Sequence, residues 1–366
     1  MAQRERSSDR FTEWDGNLAG HTETVDTDRA WSPSRLECWA TCGFRYLMRY
    51  VLDVGDREEP ERVSELEPLT RGTVMHTILE EFIKEVLPRS GNAGDVFVEP
   101  WTPAHHDRLI DLAELHFERL VRRHLTGPAA TWRHQRGVLI SLLEEFLRVD
   151  SEHRTTMGAG PSRVEADFGP GATLPPVEVV LGDGRRLRLQ GRIDRVDVDT
   201  ATGRSVRVLD YKTASTKRYR GIDRDDPVKK GTQLQLGAYA NAARAHLGAT
   251  EVHAAYLVLD QAGRTVESVG YDWDEPRQER FVEVIGRIVD GIEAGAFDAV
   301  PGAVDNFFGG FSNCRYCAYD PICPTDRLEH ALHKADAPEL AVRAALVATG
   351  DAPRPDAGAD DRGAST

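Results

Sequence analysis

The chain has 366 residues, a formal charge of −14 and 40% hydrophobic residues, enough for a substantial core and an ordinary soluble composition. No apolar run approaches the roughly 18 to 20 residues a membrane span needs, and the opening "MAQRERSSDRFTEWDG" lacks the apolar centre of a signal peptide, so no membrane partner and a cytoplasmic location are expected. The acidic balance argues against a nucleic-acid partner only as an average, because "KTASTKRYRGIDRDDPVKK" holds seven basic residues against three acidic ones.

Residues 1 to 30 are polar and aperiodic and read as a disordered arm. "SPSRLECWATCGFRYLMRYVL" then opens with a Ser-Pro-Ser helix start and places Leu36, Trp39, Phe44, Leu47 and Val51 at helical spacings, with an interruption near Gly43. Beyond an acidic loop, Val74, Ile78, Leu79, Phe82, Ile83 and Val86 recur at three and four and predict an amphipathic helix. Helical periodicity continues through 103–126 and 131–153, so 88–153 reads as an α-helical insertion. After a Gly/Pro-rich break the period changes to two. "RVEADFG", "RRLRLQGRIDRVDVD" and "SVRVLDYKTA" predict three strands, "GTQLQLGAYANAARAHLG" a helix, "VHAAYLVLDQAGRTVESVGY" a hairpin and 275–296 a further helix. From 334 a short helix precedes the tail "DAPRPDAGADDRGAST", whose composition cannot build a core.

Acids stand in the first predicted hairpin where a plain sheet needs none. Asp210 and Lys212 are two apart on one strand and so share a face, and the hairpin brings Asp194 back beside Asp210. Two carboxylates and an ammonium then converge. By itself an Asp-Tyr-Lys triplet on a strand is an ordinary solvated edge with an ion pair. Five cysteines, three of them within 314–323, suit a metal site in a reducing compartment better than disulfides. Three clustered thiols and a distant fourth satisfy either zinc or an iron-sulfur cluster.

Taken in order, Gly72 to His76, Gly191 to Asp194, Asp210 to Lys212 and Gln235 to Tyr239 form G-x3-H, G-x-x-D, D-x-K and Q-x3-Y motifs. This series resembles the PD-(D/E)XK nuclease superfamily in its RecB-like branch, which includes AddB-type nuclease domains and CRISPR-adaptation nucleases. The resemblance covers roughly 32–325. It implies an α/β, restriction-endonuclease-like central mixed sheet flanked by helices, with a nuclease domain over 31–333 and tails outside it. Cys42, Cys314, Cys317 and Cys323 match the layout of the branch's iron-sulfur members, which implies a 4Fe-4S cluster joining the two ends of the domain; structural zinc is the rival. Cys38 has no counterpart, and Gly43 stands where proline is common.

The resemblance further implies Mg2+ or Mn2+ held by Asp194, Asp210, His76 and the carbonyl of Tyr211, with Glu165 a further candidate ligand and Lys212 orienting water or stabilising charge at phosphorus. Gln235 and Tyr239 share a helix face, where they touch the nucleic-acid backbone or brace the lysine. Arg218, Tyr219 and Arg220 are candidates to stack on or neutralise single-stranded DNA, or form an unremarkable loop. The implied activity is a DNA exonuclease for single strands or strand ends in repair or recombination. No G-x4-G-K-[ST] occurs, so a helicase would be a separate partner. The alternatives are a noncatalytic nucleic-acid-binding subunit that retains the iron-sulfur fold and a zinc-stabilised interaction module whose hairpin acids are incidental.

Overall fold

The computed structural model describes residues 5–21, 29–55, 65–88, 95–222, 226–304 and 309–348. Its centre is a five-stranded mixed sheet in the order β2-β5-β6-β7-β8, formed by β2 (Ala159–Phe168), β5 (Gly191–Asp199), β6 (Ser205–Lys212), β7 (Glu251–Asp260) and β8 (Thr265–Asp272). All neighbours are antiparallel except β6 and β7, whose parallel pairing needs a crossover. That crossover carries a helix from Gln235 to His246. A second, three-stranded sheet orders β1 (Ala30–Trp31), β4 (Arg186–Leu189) and β3 (Val177–Val180) as β1-β4-β3.

Numbered in chain order, the helices are α1 (Pro33–Thr41), α2 (Gly43–Tyr46), α3 (Pro68–Lys84), α4 (Pro103–Arg122), α5 (Ala129–Met157), α6 (Gln235–His246), α7 (Glu275–Glu293), α8 (Arg327–His333) and α9 (Ala341–Ala348). Alternating side chains of the sheet feed two cores. Val206 and Val208 of β6 join the core built with Leu36, Ala238 and Phe281 of α1, α6 and α7, whereas Tyr211 joins Ile78, Phe117 and Phe146 of α3, α4 and α5. The sheet is therefore covered on both faces.

The long run "RRLRLQGRIDRVDVD" is not one strand. It breaks at Gln190, whose N–H donates to Trp31 O (3.0 Å), and its halves enter different sheets as β4 and β5. Residues 5–21 differ from the expected disordered arm: Phe11 is 3% exposed in the larger core, an aromatic anchor that outweighs its polar neighbours. Leu340 and Leu346, beyond the expected domain end, pack into that core as well. The tail from 349 and most of the acidic loop lie outside the described residues. No described helix is long and apolar enough to cross a membrane.

A buried ion network locks α5 onto β5. Arg195 donates through Nη1 to Asp150 Oδ1 (2.7 Å) and through Nε and Nη2 to Asp197 Oδ1 and Oδ2 (2.6 and 2.7 Å), while Arg154 Nε donates to Asp150 Oδ2 (2.8 Å). Burial pushes the Asp150 carboxyl up, but the two arginines outweigh it and hold the group below its ordinary value. Because Arg195 follows Asp194, this network also fixes the strand segment that bears the first acid of the site.

Candidate active site

The β5–β6 ladder pairs Arg195 with Leu209, so Asp194 and Asp210 stand one step further along the same ladder. Asp194 Oδ2 accepts the Tyr211 backbone N–H at 2.7 Å and lies 3.3 Å from His76 Nδ1, and His76 Nε2 lies 2.7 Å from the Tyr211 carbonyl oxygen. α3 thus delivers His76 to the end of the hairpin. On the neighbouring position Lys212 Nζ is 2.5 Å from Asp210 Oδ2 and donates to Gln235 Oε1 at 2.7 Å, while Tyr239 OH reaches Asp210 Oδ1 at 3.4 Å. The four motifs meet in one place.

Their electrostatics follow from burial beside unlike charges. Burial pushes the Asp210 carboxyl up to about 6, against the pull of Lys212 and with a push from Asp194. Burial disfavours charge on Lys212, but Asp210 more than offsets it, so the ammonium titrates above its ordinary value. His76 behaves alike: burial lowers it, and the Asp194 carboxylate outweighs burial and raises it. The Lys212 ammonium is thus pressed against the Asp210 carboxylate.

Glu165 lies across from Asp194, between the Val164–Arg195 and Ala166–Ile193 pairs, with a left-handed φ of 48° that is uncommon for a side-chain-bearing residue. Its Oε2 accepts from Arg192 Nη1 at 3.2 Å, and burial followed by the charges of Asp194 and Glu80 raises its pKa. Gly191 serves close approach: a Cβ there would meet the Phe168 ring at 2.9 Å and the Tyr239 ring at 3.3 Å.

The donor set suits a hard divalent ion in kind, with two carboxylates, a peptide carbonyl and an imidazole. Each ring nitrogen of His76 faces one of these oxygens, Nε2 the Tyr211 carbonyl and Nδ1 Asp194 Oδ2. As they stand, Asp194 accepts from the Tyr211 N–H, and Asp210 is paired with Lys212 and Tyr239. Among the described residues no group of three or more His, Cys, Asp or Glu side chains forms a ready-made metal cage.

Cys42, Cys314, Cys317 and Cys323 line one crevice, although the first is far from the others in sequence. Cys42 Sγ accepts the Val300 N–H at 3.4 Å, and Asn313 Nδ2 donates to Thr41 O and Val300 O, both at 3.2 Å. Gly43 is required here, since a Cβ would lie 2.8 Å from the Asp298 nitrogen; the close backbone contact accounts for glycine where proline is common. Burial pushes the Cys323 thiol up to about 12 and raises Cys42 too. All five cysteines are unpaired as disulfides.

Tyr219 does not present its ring for stacking. It is 5% exposed and packs on Tyr256 with centroids 4.7 Å apart, because the loop after β6 is tied back through Thr216 N donating to Asp260 Oδ2 (2.9 Å). Lys217, Arg218 and Arg220 remain exposed. Two features were not anticipated: the Asp150–Arg195 network, and Glu37, whose Oε1 accepts the Leu234 N–H at 2.6 Å and whose charge is felt by Lys212 and Asp210. Glu37 lies inside the quoted "SRLECWATCGFRY", but nothing local marks it.

The sequence is similar to those of known proteins. A protein of Moorella thermoacetica, named as one subunit of an ATP-dependent helicase/deoxyribonuclease, is 32% identical over 213 residues, 58% of this chain and 17% of that protein. Its namesake from Clostridium novyi is 31% identical over 210 residues, again 17% of its length. The chain therefore spans about a sixth of these relatives. A solved structure of SSO0001 matches 70% of this chain and 96% of its own at 16% identity, with a TM-score of 0.26, too low to bear on the fold. The description of one family matches residues 30–324. This chain belongs to that family, the PD-(D/E)XK nuclease superfamily, as a RecB-like member.

Proposed function

We propose that the chain is a metal-dependent deoxyribonuclease that hydrolyses phosphodiesters of single strands or strand ends in DNA repair or recombination. The observation that carries this is the meeting of His76, Asp194, Asp210, Lys212 and the Tyr211 carbonyl at the end of one hairpin. Asp194, Asp210, His76 and the Tyr211 carbonyl would hold Mg2+ or Mn2+, with Glu165 as a further acidic ligand, and the bound ion would supply Lewis acidity to phosphate and water. Lys212 has two partners, so its ammonium is aimed by Asp210 and Gln235 toward charge that builds on a scissile phosphate. Tyr239 steadies Asp210 from below. Gln235 and Tyr239 in this reading brace the machinery rather than grip the nucleic acid.

The motifs and the cysteines are assigned to one nuclease domain over 31–333, with 88–153 inserted as helices and the flanking segments at Phe11, Leu340 and Leu346 packed onto its core. The four cysteines around one crevice support a structural 4Fe-4S cluster, with zinc the rival; either would require thiolates, and a metal overcomes the burial that raises Cys42, Cys314 and Cys323. The relatives' names point to a helicase acting with the nuclease, here as a separate partner. The test is cleavage of end-labelled single-stranded DNA with Mn2+. Asp210→Ala and Lys212→Ala should each abolish it while the protein stays folded; a variant that cuts undiminished would sink the assigned site, and an inert wild type that still binds DNA would favour the noncatalytic role.

A further inference from the structure

We infer that Glu37 is a positioning residue that sets Lys212 through the first turn of α6, an inference that rests on the nuclease reading above. α6 begins at Gln235 with Leu234 at its N-cap, and no side chain of its own segment caps it. The first amide groups of a helix have no partner within the helix and carry partial positive charge. Glu37, from the middle of α1, fills that role from outside: Oε1 accepts the Leu234 N–H at 2.6 Å, and the Gln235 N–H adds to the same carboxylate. Gln235 in turn accepts from Lys212 Nζ at 2.7 Å. One carboxylate therefore reaches the ammonium through a single helical residue.

The surroundings leave the first turn of α6 little other freedom. The loop before it is pressed between α1 and α7 at Gly231, where a Cβ would stand 3.0 Å from Ala40 Cβ and 2.9 Å from Ile288 Cδ1. Phe281 fills the space beside Gly237 in the next turn, where a Cβ would approach to 2.5 Å. Glu37 is half-buried, with its carboxylate turned toward the first turn of α6. A neutral hydroxyl or amide would cap the helix as well; a carboxylate also faces the Lys212 charge. Cys42 caps the C-terminal end of α1, so the same helix ties the cysteine crevice to the catalytic lysine.

The experiment measures kcat and KM on end-labelled single-stranded DNA with Mn2+ for wild type, Glu37→Ala, Glu37→Gln, Gln235→Ala and the Glu37→Ala/Gln235→Ala pair. Glu37→Ala should lower kcat about 10- to 100-fold, the loss expected for a hydrogen bond to a charged group, with KM for DNA within about twofold. Glu37→Gln, which keeps the acceptor, should recover most of that rate. The double variant should lose no more than the worse single one, because both act on the same lysine. Unchanged kcat in Glu37→Ala, a loss in KM alone, or additive losses would overturn the inference. Should Glu37→Ala fail to fold, Glu37→Asp keeps the charge and withdraws it by one methylene; wild-type kcat in that variant overturns the inference equally. An inert wild type overturns the nuclease reading and this inference together, whereas an active wild type with an unaffected Glu37→Ala overturns this inference alone.

Discussion

Glu37→Gln makes the buried carboxylate visible in stability as well as in rate. Burial pushes the Glu37 carboxyl up to about 7 from an ordinary 4.5, against the pull of the Leu234 N–H and Lys212. A raised carboxyl pKa means that the folded state holds the proton more tightly than the unfolded chain. Its stability contribution is therefore full below 4.5 and is lost as pH rises through about 7. Between pH 5 and 8 the linkage relation gives a loss of roughly 2 to 3 kcal/mol for this one group. Glutamine does not titrate, so the variant should gain that amount relative to wild type across the same interval.

The groups that face Glu37 are Lys212 and Asp210 on β6, Tyr219 in the following loop, Tyr239 on α6 and Tyr256 on β7. The tyrosines and Lys212 keep their charge state over this range, and Asp210, at about 6, is present in both proteins. Urea unfolding at pH 5, 6, 7 and 8 with chelator present measures the difference. Stability curves that stay parallel, or a glutamine variant that loses ground as pH rises, would refute the reasoning.

Arg195→Met should destabilise the fold by about 3 to 5 kcal/mol, because it strands Asp150 and Asp197 as buried charges, and replacement of Asp150 and Asp197 as well by apolar residues should recover part of the loss; denaturant midpoints decide. Anaerobic purification should give a brown protein absorbing at roughly 400 nm. Cys323→Ser should bleach it and lower its melting temperature, and a colourless wild type with stoichiometric zinc would replace the cluster by zinc. Removing the exposed Lys217, Arg218 and Arg220 together should weaken single-stranded DNA binding and flatten its log–log salt dependence by up to about 2, at about 0.7 per phosphate contact; an unchanged slope would leave that loop without a role.

The hairpin was legible because its chemistry is local: alternation fixes which side chains share a face, and two residues' spacing puts Asp210 and Lys212 together. The β7–β8 hairpin and α6 were legible for the same reason. What escaped depends on partners distant in sequence. Nothing near Gln190 announces that β4 and β5 leave for different sheets, since the apolar alternation runs straight through. "VEVV" of β3 is too short to stand out beside a Gly/Pro-rich break. Tyr219 looked available because its neighbours are basic, but the Asp260 tether turns it inward. Glu37 and the Asp150–Arg195 pair are charged residues whose importance lies wholly in what packs against them, 197 and 45 residues away.

The central claim is that Asp194 and Asp210 share one divalent ion. Mn2+ titration by isothermal calorimetry, on wild type, Asp194→Asn and Asp210→Asn with folding checked by circular dichroism, tests it most directly. Wild type should bind one Mn2+ at this site, and each variant should lose it together with cleavage of end-labelled DNA. Undiminished Mn2+ binding in either folded variant would contradict it.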